Sequence, residues 1–193
     1  MSSSSATETN TTPLAPGRWT LDRAHSAVVF SVRHLGLSKV RGRFDTFDAT
    51  LDVGEAGADV RVEATVEMGS VNTSDPGRDA HLRTTDFFDV EKHPTMHFVS
   101  TGLTDGGDGV SWELAGDLTI NGITKPTVLD VEFHGTEKHR EDLHAGFSAT
   151  GEIRRSEFGI DFGILPLGGD KLALADKIPF ELDLQFVEPA PAG

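Results

Sequence analysis

The chain has 193 residues and neither cysteine nor tyrosine. Without a thiol there is no disulfide, no thiolate nucleophile and no sulfur ligand for a metal, so cysteine gives no indication of the redox compartment. Long apolar runs are missing too. No window approaches the ~18 uninterrupted apolar residues of a membrane-spanning helix, so any dealings with lipid take place inside the fold or at its mouth. Cations are scarce: 17 Lys and Arg stand against 31 Asp and Glu, a formal charge of −14. That balance argues against nucleic acid and against an electrostatic membrane contact. The opening MSSSSATETNTTPLAPG holds neither a basic cluster nor an apolar stretch. No secretory signal or anchor is read there, and the expected location is the cytoplasm.

Catalytic signatures are equally thin. No GxSxG elbow is present, and no parallel βαβ pattern exists to build one. Eight histidines invite a metal hypothesis, above all His93-Pro94-Thr95-Met96-His97. A strand rises ~3.3 Å per residue, however, so positions four apart lie ~13 Å apart and cannot share one ion as strand neighbours. No HExxH accompanies them, so structural or surface histidines are the simpler reading. Asp86 and Asp89, beside Phe87 and Phe88, are explained as well by helix-end capping as by catalysis. No catalytic residue, metal or cofactor is expected.

What is present is alternation. Val60, Val62, Ala64, Val66 and Met68 interleave with Arg61, Glu63, Thr65 and Glu67, which reads as a strand with one wet face. The same period recurs in Val28-x-Phe30-x-Val32, in Val110 to Ile120, in Leu129-x-Val131-x-Phe133 and in Leu143 to Ile153. It returns in Ile178-x-Phe180-x-Leu182-x-Leu184-x-Phe186, which could pair with the first strand near Trp19 and Leu21 and close a barrel. Between Val40 and Val53 the apolar phase moves from even to odd positions, so a β-bulge is expected near Asp45. Asp105-Gly106-Gly107-Asp108-Gly109 and Asn121-Gly122 read as hairpin turns.

One segment breaks this rhythm. Ser74-Asp75-Pro76 begins a short helix through Arg83, with an Asp79–Arg83 pair four residues apart worth ~0.3 kcal/mol. A second turn at Thr85 to Asp89 follows, and both pieces are placed as a lid over one barrel end. Residues 1–16 are too polar to offset their ordering entropy and read as a disordered tail. The domain runs over 17–188, with a short tail at 189–193.

A strand of ~9 residues in a small barrel spans roughly 20–25 Å, enough for an extended hydrocarbon chain. Each buried methylene contributes ~0.8 kcal/mol before the cost of immobilising the ligand. Barrels of about eight strands can also be filled by their own side chains, and periodicity does not separate the two cases.

Several runs then carry a resemblance. Trp19-Thr20-Leu21-Asp22-x-x-His25-Ser26, Phe30 to Gly36 and Val40-x-Gly42-x-Phe44 resemble the opening of the YceI-like family. Arg78 to Arg83, Asp86 to Pro94 and Gly116 to Pro126 are similar to its middle motifs, and Gly146 to Ala149 with Arg155 to Gly159 extend the match. The resemblance covers about residues 17–187. It implies an all-β fold: a lipocalin-like, extended eight-stranded antiparallel barrel with short helices capping one end. Some members of the family bind polyisoprenoids, isoprenoid quinones or fatty-acid derivatives in the pore, and no catalytic residues carry over. Members are often secreted to the periplasm, from which this chain departs.

The expected ligand is therefore an apolar lipid. Phe30, Val32, Phe44, Val62 and Val66 are expected to line the pore, with Phe98, Leu118, Phe147 and Phe180. Leu82, Phe87, Phe88 and Phe162 are expected at its mouth. The run Asp161 to Gly169 is glycine-rich and apolar and fits a second gate. Two rivals stay open. One is a small-molecule enzyme in which His34, His81 and Asp86 converge. The other is a ligand-free barrel that binds a partner, such as a second copy in a homodimer, through its acidic surface.

Overall fold

A computed structural model describes residues 12–189 except 58, 169 and 170. The strands form one long meander that closes on itself. The first six strands make three interrupted staves. These are β1 (Gly17–Leu21) with β2 (Ala27–His34), β3 (Ser38–Phe44) with β4 (Phe47–Val53), and β5 (Arg61–Glu67) with β6 (Val71–Asn72). A short helix α1 (Pro76–Leu82) follows. The continuous staves are β7 (Thr95–Asp105), β8 (Ser111–Ile120), β9 (Ile123–His139) and β10 (Asp142–Arg154). A small hairpin, β11 (Pro166–Gly168) with β12 (Lys171–Leu172), precedes the last stave, β13 (Lys177–Val187). All neighbours are antiparallel. β13 pairs with β10 on one side, and on the other with β1 (Leu21 opposite Phe186) and β2 (Phe30 opposite Phe180), which closes an eight-stave barrel.

The interruptions resolve the expected bulge. Inward residues run through Gly42 and Phe44 and then through Phe47, Ala49 and Leu51, so two residues, Asp45 and Thr46, separate one inward position from the next. Both neighbouring staves absorb this with 3-10 turns, Arg23–His25 and Met68–Ser70. The orphaned groups are satisfied locally: the Asp45 N–H donates to the Ser70 carbonyl at 3.1 Å and the Thr46 N–H to the Ser70 hydroxyl at 3.0 Å.

The hairpin signals hold for a physical reason. Asn121 and Gly122 have φ of 51° and 73°, the left-handed pair that a two-residue type I′ turn needs. In α1 the Asp75 carboxylate accepts from the Arg78 N–H at 3.0 Å and Pro76 occupies the first turn. The expected Asp79–Arg83 pair is absent. Asp79 is buried and accepts instead from the Thr73 N–H and hydroxyl, while Arg83 donates to the Gly69 and Val71 carbonyls. A buried carboxylate gains more from two aligned local donors than from a solvated guanidinium.

Two apolar clusters line the barrel. One, including Phe44, Met68, Val71, Ile120 and Phe158, lies under α1. The other gathers Leu14, Trp19, Leu51, Val53, Ala145 and Phe186. Trp19 has no exposed surface, and its indole N–H donates to the Ala15 carbonyl at 2.9 Å. The expected tail therefore needs correction: residues 12–16 pack against the barrel, with Leu14 buried, because one leucine seated on Trp19 supplies the apolar area that the surrounding Ser and Thr lack. Residues 1–11 lie outside the described residues, as do 190–193. Among the described residues no helix is long and apolar enough to cross a membrane.

Candidate functional site

Side chains of both clusters face a common cavity of ≈ 970 Å³. Its wall is built from the inward side chains of every stave, such as Val62, Val66, Leu114, Leu129 and Leu182. The volume sits at the upper end of the usual range for small-molecule sites, ~300–1,000 Å³. Why the barrel is hollow follows from three glycines. The Phe30 ring lies across Gly42, the Phe98 ring across Gly116 and the Phe180 ring across Gly151. A Cβ added at these glycines would stand 2.4, 2.3 and 2.5 Å from the respective ring tips. Each ring thus lies along the neighbouring stave instead of projecting into the lumen. In β2 and β13 the phenylalanine is the direct cross-strand partner of its glycine.

All thirteen residues expected at the pore and its mouth stand against this cavity. At the mouth, Phe88 packs on Phe44 with ring centroids 6.1 Å apart, and Phe44 in turn on Phe30 at 5.4 Å. Phe87, Phe162 and His81 form a second group with centroids 4.9 to 5.1 Å apart. The lid is tied to the barrel by the Asn121 amide, which donates to the Phe87 carbonyl at 2.9 Å.

The glycine-rich loop expected to serve as a second gate is pinned by an arginine. Arg155, at the end of β10, is buried and directs its guanidinium into the loop that follows. It donates to the carbonyls of Ile160 (3.0 Å), Phe162 (2.7 Å), Leu174 (3.1 Å) and Ala175 (2.9 Å). Burial pulls the guanidinium below its ordinary value, but an arginine stays charged. One charged fork therefore joins both arms of the loop.

Asp176 locks the base of the same loop. Burial alone would raise its carboxyl, but the Ser156 N–H at 2.9 Å and Arg154 at 3.4 Å outweigh burial and hold it below the usual carboxylate range. A group whose folded value is depressed contributes stability above its unfolded value, ~3.9 for Asp, and loses it as pH falls through the folded value. Protection of the Arg155 and Ser156 amides against hydrogen exchange is therefore expected to fall between pH 5 and pH 2, a range of roughly the unfolded value and below, before that of β8. Simultaneous loss in both places would contradict it.

Polar groups at the cavity are few. His81 and Asp86 meet, with Nε2 to Oδ2 at 2.7 Å. His34 also reaches the mouth. Among the described residues it has no hydrogen bond to that pair, and no group of three His, Asp or Glu could hold a metal ion. The His93 and His97 pair is split: His97 bonds Thr65 and Thr95 on the outer wall, and His93 stands beside the Asn121–Gly122 turn. Trp112 is buried, and its indole N–H has no hydrogen-bond partner among the described residues.

The residues that sequence reasoning missed are these controls of shape. Leu14, Trp112 and Gly151 were not singled out, and Gly42, Gly116 and Arg155 figured only in family motifs. The signal for the glycines was an inward-phase Gly facing an inward-phase Phe, which is visible only once register is known.

Comparison with known proteins agrees with this architecture. The family model described as YceI-like domain matches residues 19–186. A UPF0312 protein of Staphylococcus aureus (strain USA300) is 35% identical over 173 residues, covering 87% of this chain and 96% of that protein. A Campylobacter jejuni YceI protein is similar in structure, with TM-score 0.70 and 31% identity over 82% of this chain and 90% of that one. A polyisoprenoid binding domain from Saccharophagus degradans, implicated in plant cell wall breakdown, shares the fold at TM-score 0.60 and 16% identity, over 89% and 98% of the two chains.

Proposed function

Since this chain belongs to the YceI-like domain family, we propose that it binds a long apolar lipid inside the barrel, a polyisoprenoid, an isoprenoid quinone or a fatty-acid derivative, and carries or stores it. The observation that carries this reading is the hollow, almost wholly apolar lumen of ≈ 970 Å³. Such a lumen rewards a flexible hydrocarbon by ~0.8 kcal/mol per buried methylene and offers almost nothing to a charged substrate. The structural relative from Saccharophagus degradans, named as polyisoprenoid binding, supports the choice of cargo. The thirteen wall and mouth residues are the proposed contacts, and the chain is read as a binding protein rather than a catalyst. The His81–Asp86 pair is read as part of the lid, because it stands at the rim beside two phenylalanine rings.

Native mass spectrometry of freshly purified protein, followed by organic extraction, tests this. One apolar molecule per chain, or stoichiometric uptake of added prenyl chains, is the expected result. A chain that carries no lipid and takes up neither prenyl chains nor fatty-acid derivatives overturns it.

A further inference from the structure

The cavity mouth has an outer rim of a different character from the rest of the surface. Of the nine large apolar side chains exposed among the described residues, five crowd here: Leu35, Leu37, Phe162, Leu165 and Leu167. Leu37 is 82% and Leu165 63% exposed. They belong to two loops that are tied together. The Leu35 N–H donates to the Ala173 carbonyl at 2.9 Å, and the Ala173 N–H to the Leu165 carbonyl at 2.9 Å. Phe162 and Leu165 also line the cavity, so these two side chains join the apolar rim to the lumen. Apolar groups grouped at a mouth in this way mark an interaction surface.

Charge names the partner. From Arg23 to Phe44 the chain carries five cations and no Asp or Glu, although acids outnumber cations 31 to 17 overall. Arg23 and Arg43 pair with Asp48 and Asp45. Arg33, Lys39 and Arg41, on the outer face of the β2–β3 hairpin whose tip is Leu35-Gly36-Leu37, have no ion pair among the described residues. Arg33 stands directly opposite Lys39, a cross-strand arrangement that costs stability. Several acids at this end are engaged elsewhere: Asp86 with His81, Asp89 with Lys92 and Asp176 with Arg154, while Asp161 acts on Arg155. Glu91 and Glu157 are exposed and stand outside the β2–β3 hairpin that carries the cations.

We propose that this rim docks on a bilayer surface bearing anionic headgroups. Leu37, Leu165 and Leu167 enter the interface, and Arg33, Lys39 and Arg41 contact headgroup phosphates. The docking rests on the lipid-carrier reading for its purpose, since it would let cargo pass between bilayer and lumen without crossing water. The formal charge of −14 argues against such a contact only as a whole-molecule average. At physiological salt, exposed charges more than ~8 Å away are largely screened, so the cations at the contact decide.

Vesicle flotation tests the docking, with phosphatidylcholine alone or mixed with phosphatidylglycerol. The wild type is expected to float with the mixed vesicles, less with the neutral ones, and less as salt rises. Near an anionic surface each cation is worth about fivefold, so Arg33→Gln, Lys39→Gln and Arg41→Gln together should weaken binding on the order of a hundredfold. Leu37→Ser, Leu165→Ser and Leu167→Ser together should abolish the salt-resistant remainder. Uptake of a fluorescent prenyl probe without vesicles checks that each variant is folded. It also separates the two readings: flotation without uptake overturns the carrier and leaves the docking standing. A wild type that stays unbound on both vesicle types overturns the docking, as do triple variants that float as well as the wild type. A dimer in light scattering that the leucine variant returns to monomer assigns the rim to a second copy and overturns it equally.

Discussion

Replacing Arg155 by methionine is expected to lower stability by about 3–5 kcal/mol, because it orphans four carbonyl acceptors at once. In a chain of this size that corresponds to a fall in melting temperature of about 10 °C. The reasoning begins with geometry. The guanidinium is the common donor to Ile160 and Phe162 on one arm of the loop and to Leu174 and Ala175 on the other. Methionine keeps much of the apolar stem but supplies no donor, and lysine, with one compact ammonium, cannot hold both arms in a planar fork. Arg155→Lys is therefore expected to recover less than half of the loss. Calorimetry combined with hydrogen exchange at the Ala173 and Leu174 amides checks this, since both donate within the loop. A melting temperature unchanged and exchange unaltered in Arg155→Met would show that the loop is held by its backbone pairing alone.

The second large effect concerns the lumen. Gly42→Ala with Gly151→Ala is expected to weaken binding of a long prenyl chain roughly a hundredfold, as two displaced rings exclude about four methylenes at ~0.8 kcal/mol each. At Gly42 the nearest atoms to an added methyl are all on the Phe30 ring, and at Gly151 they are on Phe180 and Leu129. The rings must swing from the wall toward the axis, which consumes the space where cargo would lie. The barrel itself should remain folded, because side chains and not backbone have to move. Gly102→Ala, where a methyl meets nothing within 4 Å, serves as the control. Titration with prenyl alcohols of increasing length reads the effect: affinity should fall most for the longest chain. Equal affinity in the double alanine variant would show that the rings do not set the volume.

Period-two alternation and the Asn121-Gly122 signal made the staves and one hairpin legible in the sequence, because inward and outward faces differ in polarity and because that turn needs two left-handed residues. The phase change near Asp45 was legible for the same reason. Its accommodation was not, since the compensating 3-10 turns lie in neighbours distant in the chain. The lid was visible through Asp75-Pro76 and the paired phenylalanines. The partner of Asp79 was misread because spacing within a helix says nothing of a threonine just outside it. Emptiness was beyond the sequence altogether. Phe30 and Gly42 look like an ordinary core residue and an ordinary strand glycine until register sets one upon the other.

The closure of the barrel by its own ends has a consequence for how the chain is made. Thr20 and Leu21 meet Val187 and Phe186, so the ring is completed by residues separated by nearly the whole sequence. Contacts of such high sequence separation make for slow folding. During synthesis the early staves emerge with both outer edges unpaired, and no local rearrangement can satisfy them until β13 has left the ribosome. Unpaired edges invite association with other chains. A transcript cut short before the final stave would therefore yield an open, adhesive sheet rather than a smaller barrel, and the last eleven-residue strand decides whether the product is a vessel or an aggregate.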